Sequence, residues 1–384
     1  SSLLCGFGPA VLVGLLALHL VPTLGRPPAV DRRVSMGRWC AVLAALLLLL
    51  PAGASIALPS DNSRSRFRER PENFHSSWEV PVLLTGVRAS REMPSDLVLH
   101  SVDPSAKNAW VDYLYPSASE LNFQSGELLA FCRRWWWVSY VAASFYLIFL
   151  WAGGVWMKSR PAYDLKAPLA LWNLFLAVYS FIGALRTVPH LALMLTSHGL
   201  DYTVCRAAVA SYGSGACGFW VALFIFSKYF ELVDTAFLVL RKKTVPFLHW
   251  YHHCSVLLYC WHAFVFEMPT GIYFASMNYS VHAVMYLYYF LAATCRRPPR
   301  WACFVTVLQL SQMAIGILIT SKHLYTLVNQ TVPHCDGHMP NLAGALGMYA
   351  SYFILFAQFF TRRYTKRREN GAAQDGNRME KKFE

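Results

Sequence analysis

Three histidines at helical spacing are the residues of this chain best suited to chemistry. His249, His252 and His253 lie at positions i, i+3 and i+4, which places their side chains on one face of a helix. The residues around them are apolar enough to lie in a membrane, where an ionisable group is costly and marks a functional site. Imidazole can bind a metal, act as a general base, or attack a thioester as a nucleophile.

A second set of polar residues lies in neighbouring apolar segments. Lys228, Glu231 and Asp234 recur every three residues. Three charges in a membrane are tolerated only if they pair and face other helices, so this set either braces the helices or also orients a catalytic histidine. Asn278 and His282 lie four residues apart further along the chain. The remaining polar positions are Tyr286, Gln309 and Gln312.

The histidine pattern is also found in membrane iron oxygenases, but that chemistry needs many histidine ligands from several boxes. This chain has one box, and only His282 obviously adds a further ligand. We therefore expect no metal and no cofactor, and favour catalysis by imidazole itself. The alternatives are a membrane transporter or receptor that uses the polar residues for binding, and, less favoured, an iron oxygenase.

The elements that must position these residues are membrane helices. The 384 residues are 55% hydrophobic and only 14% charged, whereas soluble domains carry roughly 25% charged residues. Seven apolar segments have about the length of a membrane span. Their predicted limits are 137–157, 166–186, 216–240, 248–267, 272–293, 301–320 and 342–361. The sequence thus predicts an all-α multi-pass membrane protein with seven transmembrane helices.

The net charge of +13 is concentrated in short basic runs after the first, third, fifth and seventh predicted spans and in the C-terminal tail. Such runs remain in the cytosol, so we expect a cytosolic C-terminus and a lumenal N-terminus. Without a soluble basic domain, nucleic-acid binding is not expected. These cations either attract substrate phosphates or act only as topology signals. The cations considered for phosphate binding are Arg241, Lys242, Lys243, Arg296 and Arg297.

The two ends of the chain carry features of targeting. A basic, apolar and small-residue pattern that starts at Met36 is typical of a signal peptide, although two extra hydrophobic anchors would also fit. Lys381 and Lys382 resemble an endoplasmic reticulum retrieval signal. The predicted parts are an uncertain upstream segment with the signal peptide at 1–58, a loosely ordered lumenal extension at 59–134, the seven-span domain at 135–365, and a basic cytosolic tail at 366–384.

Four motifs occur in order in the seven-span domain. They are Lys228-x-x-Glu231-x-x-Asp234-Thr235, His249-x-x-His252-His253, Asn278-x-x-x-His282-x-x-Met285-Tyr286-x-Tyr288-Tyr289 and Thr306-x-x-Gln309-x-x-Gln312. Together they resemble the signature set of the ELO family of very-long-chain fatty acid elongases. Leu171-Trp172-Asn173 and Gly183-Ala-Leu-Arg186 look most like the branch that acts on saturated and monounsaturated chains of about palmitate length.

The resemblance implies an endoplasmic reticulum enzyme that condenses acyl-CoA with malonyl-CoA to 3-oxoacyl-CoA, CoA and CO₂, without a metal. It implies six helices in a barrel around an acyl tunnel, with His252 as the acylated nucleophile and His282 as its partner. The other motif positions would shape and polarise the site. It also implies association with the other enzymes of the elongation cycle, and it leaves a homodimer open.

Two cysteines are expected to lie on the lumenal side of the membrane. Cys205 and Cys335 fall in the predicted lumenal loops that follow the second and the sixth span. The lumen is oxidising. We therefore predict a disulfide between these two residues.

Overall fold

The computed structural model describes residues 115–365, and these form a bundle of helices. The helices are α1 (Ala118–Leu121), α2 (Ser125–Arg134), α3 (Val138–Trp156), α4 (Lys166–Cys205), α5 (Ala208–Ser211), α6 (Gly215–Phe230), α7 (Val233–Leu240), α8 (Phe247–Val265), α9 (Gly271–Thr294), α10 (Ala302–Asn329) and α11 (Met339–Phe360). The prediction of an all-α protein is confirmed for this part of the chain. The predicted signal peptide, most of the extension and the C-terminal tail lie outside the described residues.

Four of the described helices are long and apolar enough to cross a membrane. They are α3 with the 3-10 turn that follows it, α4, α10, and α11 with its π-helical continuation to Tyr364. The chain is therefore a multi-pass membrane protein, while the count of seven spans stays a prediction. The third predicted span is not among the four because a turn at Glu231–Leu232 divides it into the shorter helices α6 and α7. Helices α8 and α9 are not among them because their many histidine and tyrosine residues lower their hydropathy.

Two helices extend well beyond the spans predicted for them. Helix α4 continues past residue 186, where its predicted span ends, to a break at Gly199 with φ 81° and ψ 177°, and a last helical segment then runs to Cys205. Helix α10 continues to Asn329 although its predicted span ends at residue 320. Hydrophobic length marks only the part of a helix that lies in lipid. The last turns of α4 are instead held by packing and by a hydrogen bond of 2.6 Å between the Thr203 and Tyr273 hydroxyls.

Helices α4 and α9 run antiparallel and pack closely at one glycine. Gly183 has no side chain, which leaves room for the ring of Tyr279. A Cβ atom at Gly183 would lie 2.6 Å from ring carbons of Tyr279. The ring of Tyr279 also contacts the rings of Tyr179 and Trp220, at centroid distances of 5.8 and 6.1 Å. This close approach brings Trp172 of α4 to the level of Tyr286 of α9, where both reach the same carboxylate.

The bundle has two ends with different chemistry. At the basic end lie the loops after α3, α7 and α9 and the residues after α11; there the Tyr163 backbone N–H donates to the Leu240 carbonyl over 3.1 Å. At the disulfide end Cys205 and Cys335 are bonded, with their sulfur atoms 2.10 Å apart. The Asp336 backbone N–H also donates to the Cys205 carbonyl over 2.8 Å. The loop before α11 is thereby fixed to the end of α4.

Residues 115–134 differ from the expectation of a loosely ordered extension, because they fold as α1 and α2 against the disulfide end. Glu120 of α1 is buried and accepts hydrogen bonds from Arg186 Nε over 2.7 Å and from Trp220 Nε1 over 2.6 Å. Ser117 and Glu120 also cap α1 reciprocally. The composition of the segment gave no sign of this order, because the buried partners of Glu120 lie in α4 and α6.

The Glu120–Arg186 pair predicts a loss of stability in acid. Burial raises the pKa of the Glu120 carboxyl, but hydrogen bonds from Arg186, the Ser117 backbone and Trp220 outweigh it and bring the pKa from 4.5 down to about 2. The stabilisation is therefore complete above the unfolded-state pKa and is lost as the pH falls toward the folded-state pKa.

Between pH 7 and pH 3 we expect the free energy of unfolding to fall by about 2 kcal/mol less in Glu120→Gln than in the parent protein. The measurement is the free energy of unfolding of the two proteins across that range. Parallel curves for the parent protein and the variant would contradict the assignment.

Candidate active site

A buried polar network joins α6 to α9 in the interior of the bundle. Lys228 is 1% exposed, and its Nζ donates to Glu231 Oε1 over 2.6 Å and to Asn278 Oδ1 over 2.9 Å. Nζ also lies 4.2 Å from the centre of the Phe224 ring. Ser227 Oγ donates to the same Glu231 oxygen over 3.2 Å. The charges of α6 are thus paired within the bundle rather than presented to lipid.

The ammonium group fixes the orientation of the groups beyond it. Lys228 can only donate, so the atom of Asn278 that it contacts is the carbonyl oxygen, and Asn278 Nδ2 faces His282 Nε2 at 3.1 Å. Because the amide nitrogen donates, His282 Nε2 accepts and its proton lies on Nδ1. That atom is 3.8 Å from Glu231 Oε1. The network therefore selects one tautomer of His282.

Asp234 of α7 makes a separate set of hydrogen bonds toward α4 and α9. Trp172 Nε1 donates to Asp234 Oδ1 over 2.6 Å, and the Tyr286 hydroxyl donates to Asp234 Oδ2 over 2.7 Å. Both carboxylate oxygens are thus held by neutral donors. Lys228 and Asp234 are therefore parts of two adjacent networks rather than one ion-paired triad.

The histidine helix α8 is held from the side of α3 and α7. His249 Nε2 lies 2.9 Å from Thr235 Oγ1, which in turn lies 2.9 Å from the Tyr146 hydroxyl. The rings of His249 and His253 are 4.4 Å apart between centroids. His253 is buried, whereas His249 is only half-buried. These contacts fix two of the three imidazoles against neighbouring helices.

His252 is half-buried and lies next to both networks. Its ring is 5.5 Å from that of His253 and 5.0 Å from that of Tyr352 on α11. His282, Glu231 and Lys228 are close enough to His252 to interact with it electrostatically. His252 of α8 and His282 of α9 thus lie within electrostatic range of each other.

The two glutamines of α10 differ in their observed contacts, and only Gln309 has one toward the site. Gln309 Nε2 contacts Met285 Sδ at 3.2 Å, one turn along α9 from His282, and Gln312 is buried on the same helix. The contact of Gln309 joins α10 to α9, in keeping with a bridging role.

The predicted phosphate-binding cations are all at the basic end. Lys242, Lys243, Arg296 and Arg297 are exposed, and Arg241 is half-buried. Lys242 Nζ donates to the Lys158 carbonyl over 3.3 Å, which joins the loops after α3 and α7. His252 is five residues into α8 from the same end, which corresponds to about 8 Å along the helix. A charged group held by these loops would lie near the mouth of the site.

The histidines and acids were also considered as metal ligands. Within residues 115–365, no group of three or more His, Cys, Asp or Glu side chains is arranged to hold a metal ion. His249 and His282 are instead hydrogen-bonded to the side chains of Thr235 and Asn278.

Comparison with known proteins identifies the family to which the chain belongs. The sequence model described as ELO: GNS1/SUR4 family matches residues 131–372. The chain belongs to the ELO family. Both histidine helices and all four motifs lie inside the matched residues, whereas Glu120 precedes them.

Relatives within the ELO family resemble the chain over most of their length. The very long chain fatty acid elongase 6 of Drosophila melanogaster is 42% identical over 235 residues, which are 60% of this chain and 73% of that protein. The protein of the same name from Gallus gallus is 39% identical over 248 residues, 64% of this chain and 91% of its own length. Human very long chain fatty acid elongase 3 is 36% identical over 247 residues, which are 64% of this chain and 90% of that protein.

Three residues of the site were not identified as functional from the sequence. Tyr146 of α3 supports Thr235, Trp172 of α4 binds Asp234, and Tyr352 of α11 packs on His252. Trp172 stands out in the sequence only as part of the Leu171-Trp172-Asn173 motif. Tyr146 and Tyr352 lie among many other aromatic residues of apolar segments. A tyrosine in such a segment needs a hydrogen-bond partner, but its sequence position does not say which one.

Proposed function

We propose that this ELO family member condenses an acyl-CoA with malonyl-CoA to give 3-oxoacyl-CoA, CoA and CO₂, in two steps that share one buried site. The single observation that carries the proposal is the placement of His252 beside the Lys228–Glu231–Asn278–His282 network within a chain of this family. The site offers a nucleophile and a set of oriented hydrogen-bond donors, which are the two requirements of the reaction.

The first step is acyl transfer to His252. Its neutral imidazole attacks the thioester carbonyl and the carbon–sulfur bond breaks. The acylated imidazole then loses its N–H proton, the thiolate takes up one proton, and CoA leaves as the thiol. The acyl group then remains on the imidazole while CoA leaves and malonyl-CoA enters. One site can in this way accept two CoA substrates in turn.

The second step is decarboxylation of malonyl-CoA and attack on the acyl-imidazole. Loss of CO₂ leaves an enolate, whose oxygen must be stabilised by preorganised donors in a site with little water. Asn278 supports this role because its amide nitrogen has two N–H groups and the contact with Lys228 fixes its direction. The enolate carbon then attacks the acyl carbonyl, the carbon–nitrogen bond to His252 breaks, and the departing imidazole takes up one proton from solvent, which restores neutral His252.

The substrate ends are assigned from charge and from resemblance. The exposed cations of the basic end, Arg296 and Arg297 among them, would bind the CoA phosphates. The acyl chain would run between the helices in an acyl tunnel enclosed by six of seven spans. The motifs around Trp172 and Gly183 resemble those of the branch that acts on saturated and monounsaturated chains, which supports substrates of about palmitate length.

The topology and location complete the proposal. The basic end would face the cytosol and the disulfide end the lumen, as the charge distribution and the bonded Cys205–Cys335 pair support. With its dilysine tail the protein would reside in the endoplasmic reticulum membrane, beside the enzymes that reduce and dehydrate its product.

The test is to look for the covalent intermediate. Full-length protein in detergent or nanodiscs is incubated with palmitoyl-CoA alone, and its intact mass is measured. We expect one palmitoyl adduct that maps to His252 and disappears when malonyl-CoA is added, with 3-oxoacyl-CoA formed in equal amount. Turnover without any adduct would contradict the two-step mechanism, and binding of acyl-CoA without turnover would favour a transporter or receptor.

A further inference from the structure

We infer that Tyr352 of α11 is a positioning residue for the nucleophile: it holds the His252 imidazole in the orientation that attacks the thioester. This inference rests on the proposed function. Tyr352 lies outside the four motifs, and its assignment comes from its contacts alone.

The Tyr352 ring restricts the His252 ring directly. Tyr352 is 1% exposed, and its ring is 5.0 Å from that of His252 at an interplanar angle of 49°. The ring of His253 contacts the same imidazole at 5.5 Å and 82°. An imidazole that packs against two differently oriented rings has few rotamers open to it.

The Tyr352 hydroxyl is anchored to the helical turn that bears His252. Ser255 Oγ donates to the Tyr251 carbonyl over 2.5 Å, so toward the Tyr352 hydroxyl, 2.6 Å away, Ser255 acts as the acceptor. The Tyr352 hydroxyl also contacts the His252 carbonyl oxygen at 3.3 Å. The tyrosine thus binds both the backbone and the ring of the nucleophile's own turn.

A second hydrogen bond joins the same two helices independently of Tyr352. The Tyr251 hydroxyl lies 2.8 Å from Ser351 Oγ, and Ser351 Oγ also donates to the Met348 carbonyl over 2.7 Å. Helices α8 and α11 therefore remain joined when the Tyr352 hydroxyl is removed. This makes Tyr352→Phe a variant that should fold and still report on the orientation of His252.

The expected effect is on the rate of acylation rather than on substrate binding. A displacement of about 1 Å in a reacting group can cost about 100-fold in rate. We expect Tyr352→Phe, which keeps the ring, to slow adduct formation about 10-fold. Tyr352→Leu, which removes the ring as well, should slow it about 100-fold. The KM for acyl-CoA should stay within about twofold, because neither variant changes uniform binding.

The matched control is Tyr349→Phe. Tyr349 lies one turn earlier on α11, is also buried, and packs on Phe274 with a centroid distance of 5.0 Å. Its ring lies 6.5 Å from that of Tyr352, and Tyr349→Phe keeps this ring in place. The Tyr349→Phe variant also loses a tyrosine hydroxyl from α11, so it measures the effect on acylation of a merely structural change in this helix. We expect this variant to acylate at the parent rate.

The experiment follows the palmitoyl adduct by rapid quench and intact mass after full-length protein is mixed with palmitoyl-CoA. A slower acylation in both Tyr352 variants, with KM and the Tyr349→Phe rate unchanged, supports the inference. Parent-rate acylation in both Tyr352 variants overturns it, and so does an equal loss in Tyr349→Phe. Absence of the adduct in the parent protein would instead refute the proposed nucleophile, and would be recognised before any variant is compared.

Discussion

Replacing His252 with alanine is expected to lower the rate of condensation by about 1,000-fold or more, because a covalent step loses its nucleophile. The variant should also show no palmitoyl adduct. Folding should be retained, since the ring is only half-buried and α8 remains held through the bonds of Tyr251 and Ser255. The measurement is incorporation of labelled malonyl-CoA into 3-oxoacyl product, with the thermal unfolding midpoint recorded in parallel.

The control for this prediction is His262→Gln on the same helix. His262 Nδ1 is bound to Asn341 Nδ2 at 2.8 Å near the disulfide end, three turns away from the nucleophile. We expect this variant to retain most of the activity. If His252→Ala condensed its substrates at the parent rate, the nucleophile would have to be sought among His249, His253 and His282.

Replacing Lys228 with methionine is expected to have the largest effect on stability. The ammonium and Glu231 are 1% and 3% exposed, so loss of the cation leaves a buried carboxylate without its compensating charge. Breaking a buried ion pair in this way costs about 3–5 kcal/mol. Activity should fall as well, because Asn278 loses the donor that fixes its amide. The measurement is the free energy of unfolding of the reconstituted protein, together with the condensation rate.

The double variant Lys228→Met/Glu231→Gln separates the two effects. Removing both charges relieves the uncompensated carboxylate, so most of the stability should return. The orientation of Asn278 is not restored, so activity should stay low. A Lys228→Met variant as stable as the parent protein would show that the Lys228–Glu231 pair does not stabilise the fold.

The core of the site could be predicted because membrane insertion makes charge expensive. Residue type and spacing pointed to the three histidines of one helix and to His282, and the family resemblance then selected His252 and His282. The burial of Lys228 beside Glu231 follows from the cost of exposing either to lipid. A single triad of Lys228, Glu231 and Asp234 did not form, since Asp234 is held by Trp172 and Tyr286. Spacing along one helix could not reveal those donors, because they come from α4 and α9.

The limits of the helices were less predictable than their existence. Hydropathy located the apolar part of α4 but not its last turns, whose stability comes from Tyr273 and the disulfide end. The order of residues 115–134 was missed for a related reason. This short polar segment folds because Arg186 and Trp220 donate hydrogen bonds to the carboxylate of Glu120. Partners so far away along the chain leave no pattern in the local sequence of the segment.

The Glu120 contact also separates two kinds of domain boundary. The family match begins at residue 131, but the contacts of the helical bundle extend at least to Ser117, which caps the helix that carries Glu120. A protein trimmed to the matched residues would deprive a buried guanidinium of its carboxylate and Trp220 of its acceptor. Homology thus marks where the sequence shared with the family starts, whereas the packed part of this chain starts earlier.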